Sequence, residues 1–201
     1  FPRANPRFLT PDQEIQSWAE LGFSREFMIR FQGIERQALH QMAAVANHVA
    51  ARFPHATVVY RPHPFEKLET YETLLDRRDN LHLLKISTVE GWILRASAII
   101  HRNSTTAIEA SMAGRPALLP TWLPVAETLE ACDAVSIKCG SFAELDGQLS
   151  DCLSGQSQAS RLPPRQRDRE RARQRETATC ELAAPRWTCR GSCSRAHHGA
   201  A

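Results

Sequence analysis

No apolar run in these 201 residues approaches the roughly 18 that a membrane-spanning helix needs. Glycine-rich phosphate loops are missing as well. Neither G-x-G-x-x-G nor G-x-x-x-x-G-K-[ST] occurs, which argues against a dinucleotide oxidoreductase or a P-loop NTPase. Ser17, Ser87 and Ser97 lack a G-x-S-x-G elbow, so a hydrolase triad has no support. There is no C-x-x-C pair among the six cysteines. Cys189 and Cys193, followed by His197 and His198, have poor spacing for zinc and no second half-site, so no metal site is expected and the thiols read as reduced and cytoplasmic. The opening FPRANPRF has neither the basic segment nor the apolar core of a secretory leader. It begins at Phe1, which leads us to expect that the start of a longer protein lies upstream.

Net charge is small in the first part of the chain, but not in the last. Residues 1–160 carry 15 basic and 18 acidic side chains, whereas residues 161–201 carry 10 arginines, no lysine and four acids. The body therefore lacks the basic face that specific nucleic-acid binding requires. The tail, taken as residues 156–201, has too few large apolar residues to pack and reads as disordered. Its arginine, alanine and proline bias fits a shifted reading frame of a GC-rich gene better than a nucleic-acid-binding arm, and no function is assigned to it.

What is present is alternation. Residues 1–23, with Pro2, Pro6 and Pro11, read as an irregular leading segment. Residues 24–155 read as one α/β domain. A helix from Ser24, interrupted near Gly33, places Ile34, Ala38, Leu39, Met42, Val45, Ala46 and Val49 on one stripe and stops at Pro54. Strands are predicted at 57–60, 81–86, 98–101, 116–120 and 134–138. Helices are predicted at 65–78, 88–97, 104–113, 125–132 and 141–153. Such alternation implies a Rossmann-like parallel sheet with helices on both faces, and such sheets bind ligands beyond the carboxyl ends of their strands.

Two motifs fall at those ends. In VVYRPHPFE the strand is stopped by Pro62, because proline cannot donate to a ladder. Arg61 can fork onto a phosphate, and His63 can donate to a leaving phosphate oxygen. The flanking prolines hold the imidazole in place. In HRNSTTAIEA, Asn103 or Ser104 would cap a helix whose free amides and positive end suit an anion. The hydroxyls of Ser104, Thr105 and Thr106 add to them, and Glu109 can accept from paired sugar hydroxyls. Read singly, RPHP is equally well a proline-rich turn and NSTT a plain capped helix. Trp18, Trp92, His40, His48 and His55 read as packing or surface residues.

The order VVYRPHP, spacer, AIIHRNSTTAIEASMAGRPALLP resembles the C-terminal half of bacterial surface-carbohydrate biosynthesis proteins of the GT-B type. It is similar to the His-Pro and Ser/Thr motifs of bacterial sialyltransferases, capsule Kdo transferases and teichoic-acid glycerophosphotransferases. The resemblance covers about residues 1–125, weakens to 155 and excludes the tail. It implies one domain of a GT-B fold that binds a nucleotide-activated donor (CMP-, CDP- or UDP-linked) as substrate, with no cofactor. It implies that Arg61, His63, Asn103, Ser104, Thr105, Thr106 and Glu109 surround that donor, with His63 catalytic. It further implies a glycan or lipid-linked acceptor and a cytoplasmic location at the inner face of the bacterial membrane, with peripheral membrane association. In such enzymes a separate N-terminal domain holds the acceptor and the base, so no base is named here and the chain by itself is expected to be inactive. The absence of an Asp-x-Asp pair suits a metal-independent reaction in which Arg, His and helix ends neutralise the phosphate. Two rivals stand beside this reading: a sugar-nucleotide epimerase of the same fold, and a non-catalytic binding domain or fragment.

Overall fold

A computed structural model describes residues 5–86 and 88–155 of the chain. The expectations for the 156–201 tail, its cysteines and its histidines lie outside the described residues. The chain divides into residues 1–160 and 161–201.

Part of the leading segment is helical rather than irregular. Helix α1 spans Pro11–Glu20, and Pro11 occupies its first turn, where a missing N–H costs nothing. The Thr10 hydroxyl accepts from the Gln13 amide while the Gln13 side chain accepts from the Thr10 N–H, a reciprocal cap that starts the helix. Reading Pro11 as a breaker rather than an N-terminal residue concealed this helix. Helix α2, Arg25–Arg52, is capped by Ser24 and runs without interruption through Gly33. A glycine inside a helix costs about 1 kcal/mol. Burial of Met28 and Phe31 around it, with the Gln32 amide bonded to the Pro11 carbonyl, outweighs that cost.

The remaining order is β1 (Val58–Tyr60), α3 (Leu68–Leu74), β2 (Leu81–Leu83), α4 (Val89–Arg95), β3 (Ile99–Ile100), α5 (Thr106–Met112), β4 (Ala117–Pro120), α6 (Glu130–Ala134), β5 (Ile137–Cys139) and α7 (Phe142–Leu153). Several elements are shorter than the sequence suggested. The α3 end is fixed by Asn47, whose amide donates to the Leu74 carbonyl and accepts from the Asp76 N–H. Pairing between β1 and β2 lasts only three residues before Pro62 removes a donor. Helix α6 starts five residues later than expected, because the preceding loop is tethered elsewhere, as described below.

All pairings are parallel, but they form two ladders, β1-β2 and β3-β4-β5, rather than one continuous sheet. Side chains join them. Val58 of β1 and Ile100 of β3 both pack on a cluster that includes Val45 and Val49 of α2, Leu118 of β4, and Leu145 and Leu149 of α7. On β4, Leu118 enters that cluster while its neighbour Ala117 packs with Ile93, Ala107, Ala110 and Cys132 from α4, α5 and α6. Since successive strand residues face opposite ways, helices cover both faces. The fold is α/β with short parallel sheets, of Rossmann-like arrangement. No helix among the described residues is long and apolar enough to cross a membrane.

Candidate functional site

The RPHP loop leaves β1 as a braced turn. Glu66 braces it: its Oε2 accepts from the His63 N–H at 3.0 Å and from the Tyr71 hydroxyl at 2.9 Å, while its own N–H donates to the His63 carbonyl. The Phe65 N–H donates to Nδ1 of His63 at 3.2 Å, so the neutral ring carries its hydrogen on Nε2. That is the form able to donate to a phosphate oxygen. Arg61 turns towards the β2–α4 connection. Its Nη1 donates to the Ile86 carbonyl at 2.6 Å, and its guanidinium lies 6.0 Å from the Trp92 ring centroid. Part of the fork proposed for phosphate thus braces the backbone.

The HRNSTT loop leaves β3 in a way that revises the cap. Helix α5 has seven residues and begins at Thr106, after an exposed Thr105 in helical backbone geometry that makes no side-chain cap. Asn103 is not the cap. Its amide donates to the Glu127 carbonyl and accepts from the Leu129 N–H, which tethers the loop ahead of α6. Ser104 accepts from the Thr106 N–H at 3.3 Å and donates to the Thr106 hydroxyl at 3.0 Å. These hydroxyls therefore form a local turn, and a helix this short carries little of the dipole on which the sequence argument leaned. Glu109 keeps a buried Oε2 with no hydrogen-bond partner among the described residues. It is an acceptor in want of a donor.

Three residues that the sequence reading passed over organise this end of the fold. Arg102 pairs with Glu35 of α2 through one nitrogen, Nη2, which lies 2.7 and 2.6 Å from the two carboxylate oxygens, and its Nη1 donates to the Pro124 carbonyl. His101 is 4% exposed, and its Nε2 meets the Ser136 hydroxyl at 2.8 Å. Because that hydroxyl donates to the Cys132 carbonyl, Nε2 must donate to it, leaving Nδ1 as a bare acceptor. Burial pushes His101 down to about 4, against a smaller opposing pull from Asp133. Glu66, the third, was visible only as a carboxylate three positions after the histidine.

A cavity of about 230 Å³ opens beyond the carboxyl ends of β3 and β4, with His101, Arg102, Asn103, Thr121, Thr128 and Asp133 in its wall. Of the residues singled out from sequence, Asn103 alone lines it. The contacts described above for Arg61 and His63 lie on the β1–β2 side, and those of Asn103, Ser104 and Thr106 on the β3–β4 side. The Tyr60 hydroxyl, at the end of β1, is pushed well up, first by burial and then by Glu66, with the Arg102 guanidinium pulling the other way. No group of three or more His, Cys, Asp or Glu among the described residues is placed to hold a metal ion.

No protein-family model, no curated protein and no solved structure matches this chain.

Proposed function

We propose that residues 24–155 form the donor-binding half of a GT-B-type glycosyltransferase that moves a sugar or related group from a nucleotide-activated donor, CMP-, CDP- or UDP-linked, during bacterial surface-polysaccharide assembly. The observation that carries this reading is that Val58 of β1 and Ile100 of β3 pack on one core cluster, although the two strands belong to separate ladders. In a parallel α/β fold, neighbouring strand ends whose chains continue to opposite sides make the crevice where ligands settle. Here β1 continues to β2 and β3 to β4. In this reading His63 donates from Nε2 to the donor phosphate, which stabilises charge as the glycosidic bond to phosphate breaks. Ser104 and Thr106 turn their hydroxyls to the same phosphate, at the cost of their mutual bond. Glu109 accepts from sugar hydroxyls. The acceptor and the base come from a separate domain.

The test is thermal unfolding of the chain against CMP, CDP, UDP and GDP. A ligand held by the folded form alone adds about 2.7 kcal/mol at a hundred times its Kd. For a protein of this size that raises Tm by roughly 5–10 °C. CMP, CDP or UDP is expected to produce the shift and GDP to fall well short. A flat response to all four contradicts the proposal.

A further inference from the structure

The turn that carries His63 is gripped by a segment far upstream of it. Asn5 and Lys67, 62 positions apart, are joined twice: the Asn5 side-chain amide donates to the Lys67 carbonyl at 2.8 Å, and the Lys67 N–H donates to the Asn5 carbonyl at 3.1 Å. The Asn5 side-chain oxygen accepts from the Thr70 hydroxyl at 2.9 Å. Asn5 is only 9% exposed, so this is a buried polar side chain bonded at both its nitrogen and its oxygen. Two residues on, the Arg7 N–H donates to the Phe65 carbonyl at 2.8 Å, which completes a short antiparallel pairing centred on Pro6 and Glu66. From Phe65 the grip passes to His63. The Phe65 N–H donates to Nδ1, and the Phe65 ring lies 5.4 Å from the imidazole and 6.4 Å from the Phe8 ring. Both separations suit attraction between aromatic rings. Glu66 and Lys85 also hold the turn, but their bonds end on the His63 N–H and the Glu66 carbonyl, whereas the bond to the Phe65 carbonyl comes from Arg7.

We propose that Asn5 is a positioning residue for His63: it docks residues 5–8 against the 63–67 turn, and that pairing aims the Phe65 N–H at Nδ1 so that Nε2 carries the proton. The inference rests on the reading in which His63 donates to a phosphate. Pro62 and Pro64 restrict the backbone, but the imidazole still turns about its own side-chain bonds, so the prolines do not choose its donor atom. The Phe65 N–H does choose it, because a ring nitrogen that accepts leaves the hydrogen to the other.

The experiment is NMR of the ¹⁵N-labelled full chain, following amide exchange at about pH 7 and the His63 ring nitrogens at about pH 8.5, where an ordinary histidine is neutral. In Asn5→Ala the Phe65 amide, which touches no atom of Asn5, is expected to exchange at least about tenfold faster, while Leu118 and Leu119 in β4 keep their rates. The ring nitrogens are expected to move towards the values of mixed tautomers. Affinity for whichever nucleotide raises Tm most should fall about fivefold, because the competent loop is then populated for only part of the time. Arg7→Pro deletes the donor to the Phe65 carbonyl and no buried side chain, so it should act in the same way even where Asn5→Ala fails to fold. Unchanged Phe65 exchange and ring nitrogens in the folded variants overturn the proposal, since Glu66 and Lys85 then suffice. So does an altered ring with unaltered nucleotide affinity. A parent that binds no nucleotide contradicts the transferase reading instead, and the amide and ring readouts then decide on Asn5 by themselves.

Discussion

Arg102→Ala is expected to lower the unfolding free energy by about 3 kcal/mol, read as a fall in the urea midpoint at unchanged slope. The guanidinium makes two charge-assisted bonds to Glu35 and one to the Pro124 carbonyl, and the paired side chains are only 19% and 17% exposed. Truncation leaves the Glu35 carboxylate half-buried without its counter-ion. Breaking a buried pair costs about 3–5 kcal/mol, and the lower end applies because some water reaches this one. Arg102→Lys should recover less than half of the loss, since one ammonium cannot span the Glu35 carboxylate and the Pro124 carbonyl as two separate guanidinium nitrogens do. Replacing both partners, as in E35L/R102L, should cost far less than the alanine variant alone, because no charge is left stranded. A loss below about 1 kcal/mol in Arg102→Ala would mean that the pair behaves as a surface contact.

Acid should weaken the fold through His101. In the unfolded chain this ring takes up a proton near pH 6.5, whereas burial holds the folded ring neutral down to about pH 4. Above 6.5 neither state is protonated and the residue has no effect on pH dependence. Between 6.5 and 4 the unfolded state binds the extra proton, so stability falls as pH falls, by about 1.4 kcal/mol per unit and about 3 kcal/mol in total. Below 4 both states are charged and the loss levels off. Urea unfolding at pH 7.5 and at pH 4.5 should show the parent losing about 2–3 kcal/mol more than His101→Gln, which has no proton to gain. Parallel losses in the two proteins would remove His101 as the cause.

Periodicity carried the chain a long way. Four of the five strands and all but one helix in 24–155 fell where the alternation of short β-rich runs and apolar stripes placed them, because burial on both faces leaves few other patterns; β5 starts at Ile137, three residues late, because Ala134 still belongs to α6. Lengths were less legible. The limits of α3 depend on Asn47, and the start of α6 on Asn103, side chains distant in sequence whose amides satisfy backbone groups there. Helix α1 was hidden by Pro11, a residue that breaks helices from inside but begins them well. At the site, Pro62 and Pro64 signalled a fixed imidazole, but the Glu66–Tyr71 brace behind it came only with the fold. The pairing of Glu35 with Arg102 spans 67 positions and leaves no mark in either neighbourhood. A helix of seven residues also reduced the part assigned to α5 and raised that of the Ser104–Thr106 turn and the orphan oxygen of Glu109.

The convergence of two loops on one anion is open to a direct reading by NMR titration of ¹⁵N-labelled protein with whichever nucleotide raises Tm most. The account predicts that His63 Nε2 and the amides of Ser104 and Thr106 shift together, saturating at one common midpoint. If one loop responds while the other stays still, or the two saturate at different concentrations, the loops do not share a phosphate and the proposed donor site is contradicted.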